Sequence, residues 1–347
     1  MPAEALPAAL RLDLDRAALA HNWAALDRLS GAARAGAAVK ADAYGVGARQ
    51  AVPVLHQAGC RDFFVTYTAE AADIVDLVEP GSIALLHGPL AAIDAQWAKA
   101  KGVRQVINSL DQARRWIEIG GGLCDVMVDT GINRLGLAMS ELGDPLLRQL
   151  DIDVLHSHLA SSEEDVPMNA LQLARWQEAR SLLPHRRASL ANSAGIALGA
   201  AWHGDLTRPG VALYGGVPCK ALVGEIRQVV RPMAAIMQLR DLAAGDAVGY
   251  NSIFVAERPM RVGVVALGYA DGYLRCWSGK GSMISKGREL PVLGRVSMDM
   301  TVIDLAAAPE LREGDWVEVA YDLPAASAIS GLSQYELLTL LGKRFSR

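Results

Sequence analysis

Cysteine is scarce and scattered in this 347-residue chain: Cys60, Cys124, Cys219 and Cys276 form no CxxC pair. That spacing argues against a disulfide framework or a zinc knuckle and suits a reducing cytosol, the expected location. A surplus of positive charge is also missing. With a formal net charge of −4 the chain has no electrostatic footprint for nucleic acid. No uninterrupted apolar run is long enough to span a bilayer. The opening MPAEALPAALRLDLDRAALA carries Glu4 and no early basic residue, which makes a poor signal peptide. No GxGxxG follows the first β-prone run, so an open dinucleotide-binding sheet lacks support. Neither nucleic acid nor a membrane is expected as a partner.

What the chain does contain is apolar. A hydrophobic content of 51% against 21% charged supplies a large core, and the length suggests one large domain with a smaller one. Short β-prone runs at 11–15, 37–41, 62–67, 82–88, 104–109, 124–129, 153–159, 187–193 and 210–215 alternate with amphipathic helical segments, one of them opening on Ser109 as a cap. Such alternation implies βα units and a parallel sheet, and omitting the leading run leaves the eight strands of a (β/α)₈ TIM-like barrel. From about Pro232 the texture becomes short glycine-broken β runs, an antiparallel β domain. The expected domains are 1–231, the barrel, and 232–347, the C-terminal β domain.

In a barrel, reactive groups lie at the C-terminal ends of the strands. Lys40 ends the run AAVKA, on the face shared with Ala38. Desolvation there lowers a lysine's pKa toward the nucleophilic amine that forms Schiff bases. A lysine snorkelling from a strand end is the commoner case, and Asp42 opening the next turn reads as a cap. His156 and His158 share a strand face, but with no third ligand beside them no metal site is expected, and a structural or relay role fits better.

The stretch KADAYGVGA resembles the pyridoxal phosphate attachment motif of bacterial alanine racemases. DTGINRLG (129–136), HSHLASSEE (156–164), LANSAG (190–195), RPGVALYG (208–215), LGYADGYLR (267–275), GRVSMDM (294–300) and QYELLTLLG (334–342) resemble further blocks of that family, in its order. The resemblance implies a pyridoxal 5'-phosphate enzyme interconverting L- and D-alanine for cell-wall peptidoglycan. Lys40 would hold the cofactor as an aldimine and act as one base, Tyr269 as the other, with His158 and Arg208 as the tyrosine's partners. Arg208 would also face the pyridine nitrogen. Tyr44, Ser193, Gly210, Val211 and Tyr335 would bind the cofactor, chiefly its phosphate, and Arg134 and the Met298 amide the substrate carboxylate. The resemblance further implies a homodimer in which Tyr269 and Met298 enter the partner's site. One position departs from the pattern: many family members carry a carbamylated lysine two residues before DTG, where this chain has Met127. A racemase for serine or a broad range of amino acids, a decarboxylase of the same fold and a non-catalytic pyridoxal phosphate carrier are the alternatives.

Overall fold

The computed structural model describes residues 8–346. The chain divides into two compact units, Arg16–Arg227 and a second that joins the residues before Arg16 to those from Gln228 onward. The expected division at 231/232 differs at both edges. The reason is β1 (Leu10–Leu14), an alternating segment that pairs antiparallel with Val230–Ala234 and so leaves the barrel's span.

The first unit begins with α1 (Arg16–Leu29), which buries Leu19, Trp23 and Leu26. The barrel strands follow. β2 spans 34–38 in two pieces, Arg34–Ala35 and Ala37–Ala38. Then come β3 (Phe63–Val65), β4 (Ile83–Leu85), β5 (Arg104–Ile107), β6 (Leu123–Asp129), β7 (Asp151–His156), β8 (Arg187–Ser189) and β9 (Leu206–Thr207). Ala37 pairs with Phe63, Phe63 with Ile83, Ala84 with Arg104, Val106 with Asp125, Cys124 with Ile152 and Leu155 with Ala188, all in parallel. β9 closes the ring, pairing in parallel with β2 at Leu206 and Arg34 and donating Asp205 N–H to the Ala188 carbonyl at 2.8 Å. The outer helices include α2 (Ala48–Ala58), α3 (Thr68–Ala72), α4 (Ala92–Lys101), α5 (Leu110–Glu118) and α6 (Pro167–Leu182). The Ser109 hydroxyl caps α5 by accepting Gln112 N–H at 3.2 Å, and Asp42 Oδ1 caps α2 by accepting Ala48 N–H at 2.7 Å.

The eighth strand lies elsewhere than expected. The run at 210–215 folds as a short 3₁₀ turn, Val211–Tyr214, and Leu206–Thr207 takes its place in the ring. A short buried apolar run does not announce by its period whether it is strand or turn.

Charged groups fill the barrel toward the N-terminal ends of its strands. Arg104 meets Asp62 at 2.9 Å, Asp125 at 3.3 Å and also Asp153, while Arg187 reaches Asp62 at 3.0 Å and Asp153 at 2.7 Å. Removing one member would leave its partners buried and uncompensated, a loss of about 3–5 kcal/mol.

The second unit is a seven-stranded sheet. β1 pairs with β10 (Val230–Leu242). From β10 the sheet continues through β11 (Met260–Val265), β14 (Thr301–Asp304), β13 (Arg288–Leu293), β12 (Ser282–Ser285) and β15 (Trp316–Val319), and β15 returns to β10. A bulge between Ile236 and Gln238 lets β10 serve both ends of the closed sheet. Among the described residues, no helix is long and apolar enough to cross a membrane.

Candidate active site

β2 ends at Ala38, two residues short of Lys40. Lys40–Tyr44 is a five-residue turn in which Ala41, Asp42, Ala43 and Tyr44 have φ of 52°, 53°, 54° and 57°. Left-handed backbone costs about 1–2 kcal/mol for each such residue, so the surroundings must hold it. Gly45 N–H donates to Ala41 O at 2.8 Å and Gly47 N–H to Asp42 O at 2.9 Å. The Tyr44 ring stacks on Tyr214 with centroids 5.1 Å apart, and the Tyr214 hydroxyl donates to Ala38 O at 2.9 Å. Glu70 accepts Ala41 N–H at 2.8 Å and Thr66 N–H at 2.6 Å. Burial chiefly, then the Arg134 charge, holds the Lys40 amine below the usual lysine range; Glu70 opposes this and Arg208 adds to it.

Ser193 and Gly210 meet beyond β8 and β9. The Ser193 oxygen accepts Gly210 N–H at 2.9 Å and Ala212 N–H at 3.3 Å. Gly210 N–H, expected to face an anion, is thus taken internally. The Ser193 O–H and the Val211 N–H are left without an acceptor among the described residues. Gly210 is required by closeness: a Cβ there would lie 2.2 Å from Tyr44 Oη. Gly210→Ala is therefore expected to push Tyr44 aside and to cost about 1–3 kcal/mol, read as a lowered midpoint of thermal unfolding.

Arg208 is buried after β9. Its Nη1 donates to His156 Nδ1 at 3.3 Å and to Ser189 Oγ, and its Nη2 to the carbonyls of Ser157 and, at 3.4 Å, Leu190. Arginine only donates, so His156 Nδ1 must accept and its proton sits on Nε2, which donates to Asp125 Oδ2 at 3.1 Å. Burial pushes the His156 pKa down to about 4, in keeping with a neutral ring. Asp125 Oδ1 in turn accepts from Arg104, so a hydrogen-bonded chain runs from Arg208 into the charged layer. The sequence pointed to His158 beside Arg208; the ring that touches its guanidinium is His156. The Arg208 Nε–H has no acceptor among the described residues. Burial also lowers the Arg208 pKa, to about 10, which leaves it cationic at neutral pH.

His158 follows β7, its carbonyl accepting from Gln172 Nε2 at 2.9 Å. Burial, then Arg208, Arg134 and Lys40, press its pKa to about 3, so it is neutral. Arg134 sits in an exposed turn built by Asp129, whose carboxylate accepts Gly131, Asn133 and Arg134 N–H at 2.8, 3.2 and 3.1 Å. Met127 is buried, and no side chain among the described residues pairs with the Arg134 guanidinium.

In the second unit, Tyr269 N–H donates to Ser297 O and Ala270 N–H to Met298 O, both at 3.0 Å. Arg275 lies 5.2 Å over the Tyr269 ring. Arg344 approaches Asp271 at 2.7 Å and Asp299 at 2.8 Å, tying the two loops together. Met298 is 53% exposed, and Tyr335 stands partly exposed on the helix Gln334–Thr339. The residues that sequence reasoning missed are Glu70, Asp129 and Tyr214. An acid opening a short helix carries no signal of the turn it holds, whereas Asp129 and Tyr214 lie within DTGINRLG and RPGVALYG.

Beyond the C-terminal ends of the barrel strands, the groups left without a partner among the described residues include an amine at Lys40, an O–H at Ser193, an N–H at Val211 and an N–H on the buried, cationic Arg208. They suit a ligand with an electrophilic carbon, an anionic group and an acceptor nitrogen, which pyridoxal phosphate has. Residues 14–218 match the family model for the alanine racemase N-terminal domain, and 229–347 that for the C-terminal domain. The alanine racemase of Rhizobium meliloti is 40% identical, covering 99% of this chain and 97% of its own, and that of Methylobacterium nodulans 39%, covering 97% and 95%. The crystal structure of alanine racemase from Bartonella henselae with covalently bound pyridoxal phosphate superposes with a TM-score of 0.89 at 34% identity, covering 98% of this chain and 99% of its own. The biosynthetic alanine racemase of Pseudomonas aeruginosa gives 0.86 at 32%, with the same coverage.

Proposed function

The chain belongs to the alanine racemase family and interconverts L- and D-alanine; we propose that it does so with two acid/base groups, Lys40 on one face of the substrate Cα and Tyr269 on the other. Inversion needs both, because the proton leaves one face and returns to the opposite one. The observation that supports Lys40 most directly is its setting, an amine at the C-terminal rim whose pKa is lowered by burial and by Arg134. Pyridoxal 5'-phosphate, once bound, supplies an aldehyde to link to Lys40 and a ring that draws electron density from the substrate Cα.

The remaining roles fall to the chain's own groups. Ser193, Val211, Tyr44 and Tyr335 hold the phosphate, with Gly210 leaving them room. Arg208 would face the cofactor's ring nitrogen as a donor only, since arginine does not surrender its proton. A partner that only donates would suit plain racemisation rather than transamination. Arg134 forks the substrate carboxylate, joined by the Met298 N–H. His158, held neutral, can accept from the Tyr269 hydroxyl and so promote its basic form. Tyr269 and Met298 of one copy complete the site of another in a homodimer. The D-alanine serves, or is drawn from, peptidoglycan, and the reaction takes place in the cytoplasm.

The test is the purified protein with pyridoxal phosphate, given L-alanine, L-serine and L-lysine separately. D-Alanine is expected to form fastest. A faster appearance of D-serine or D-lysine would reassign the substrate. Release of carbon dioxide would make it a decarboxylase, and cofactor binding without any D-product a carrier.

A further inference from the structure

We propose that Glu70 is the positioning residue of Lys40: its carboxylate ties the start of the left-handed turn to the end of the neighbouring strand and so fixes where the lysine side chain leaves the backbone. The inference rests on the role given to Lys40 above. The β2–β3 ladder runs through Ala38, paired with Phe64, and its last rung is Val39 N–H to Phe64 O at 2.9 Å. Beyond it the left-handed turn carries the backbone of Ala41 out of register, and Thr66 N–H loses its partner strand.

Both stranded donors are collected by one side chain. Glu70 Oε1 accepts Ala41 N–H at 2.8 Å, and Oε2 accepts Thr66 N–H at 2.6 Å. Ala41 N belongs to the peptide that begins at the Lys40 carbonyl, so this bond fixes the Lys40 backbone directly. A carboxylate suits the task because both oxygens accept, whereas a glutamine would turn an NH₂ toward one of the two donors. Among the described residues, Glu70 is also the one anion whose charge acts on Lys40. Arg134 and Arg208 oppose its protonation, and the Lys40 charge in turn lowers the pKa of His87 and His158.

The experiment uses the full-length chain stripped of cofactor. Lys40 is acylated with acetic anhydride across a pH series and quantified by peptide mass spectrometry, and amide exchange is followed over Ala41–Tyr44. In Glu70→Gln the labelling midpoint should move down by about one pH unit, since the lost anion no longer favours the ammonium. Exchange in the turn should rise at least about tenfold. Glu70→Asp keeps the charge on a shorter arm, so exchange should rise while the midpoint stays near wild type; it also serves if Glu70→Gln does not fold. Wild-type midpoint and exchange in a folded Glu70→Gln would overturn the proposal. Lys40→Ala separates the two readings: a covalent cofactor retained there sinks the attachment site and leaves the Glu70 result standing on its own.

Discussion

Lys40→Ala should lose the visible absorbance of lysine-linked pyridoxal phosphate and at least about a thousandfold in turnover with alanine. On the proposed roles two functions would disappear together, the covalent hold on the cofactor and the acid/base on one face of Cα. The fold should survive, because no hydrogen bond or ion pair among the described residues runs to the Lys40 amine, and its burial only lowers its pKa. Far-UV circular dichroism and thermal unfolding check this against the absorbance after dialysis. An unchanged visible spectrum would refute the attachment site. Added methylamine should restore part of the turnover if the lost group acted as a base.

Tyr269→Phe should remove inversion while sparing half of the proton chemistry. Loss of one acid/base group lowers racemisation by about 10²–10⁴-fold, yet Lys40 still serves its own face. In deuterated water one enantiomer should exchange its Cα proton without inverting, and the other should hardly exchange. Equal loss of exchange from both enantiomers, or persistent inversion, would remove Tyr269 from the mechanism. The substitution should leave stability unchanged, since the Tyr269 hydroxyl has no partner among the described residues and phenylalanine keeps the ring beneath Arg275. Mixing Lys40→Ala and Tyr269→Phe chains tests shared sites. Random pairing of a dimer with crossed sites regenerates about a quarter of the activity, and separate sites regenerate none.

Much of this was legible in the sequence because the groups involved are chemically distinctive or locally periodic. The lysine after small apolar residues stands just beyond a strand that the sequence pattern made visible. Arg208 and Ser193 are picked out by the family resemblance alone, and Arg208 follows a strand the pattern does not show. What stayed hidden depended on distant or unusual geometry. Ala-Asp-Ala-Tyr has no glycine before Gly45, so nothing local announces four left-handed residues in succession. Leu206–Thr207 is too short to show a period, and the apolar run after Arg208 was the more conspicuous strand candidate. His156 and His158 look equivalent two residues apart. Only the placement of Asp125 and Arg208 decides which one relays and in which tautomer.

The pairing of β1 with β10 bears on how the chain assembles as it is made. Leu14 lies opposite Val230, so β1, synthesised ahead of the barrel, must wait until the whole barrel has been translated before its neighbour exists. During that interval its backbone donors and acceptors are open to any passing strand edge. Arg11 and Asp13, paired at 2.6 Å on its outer face, put charge on that waiting edge and make it a poor template for another chain. The barrel can close without β1, but β10 lacks one flank until β1 returns. Completion of the second unit is therefore a late, long-range closure, slow by its contact order and exposed to interception by a second nascent chain.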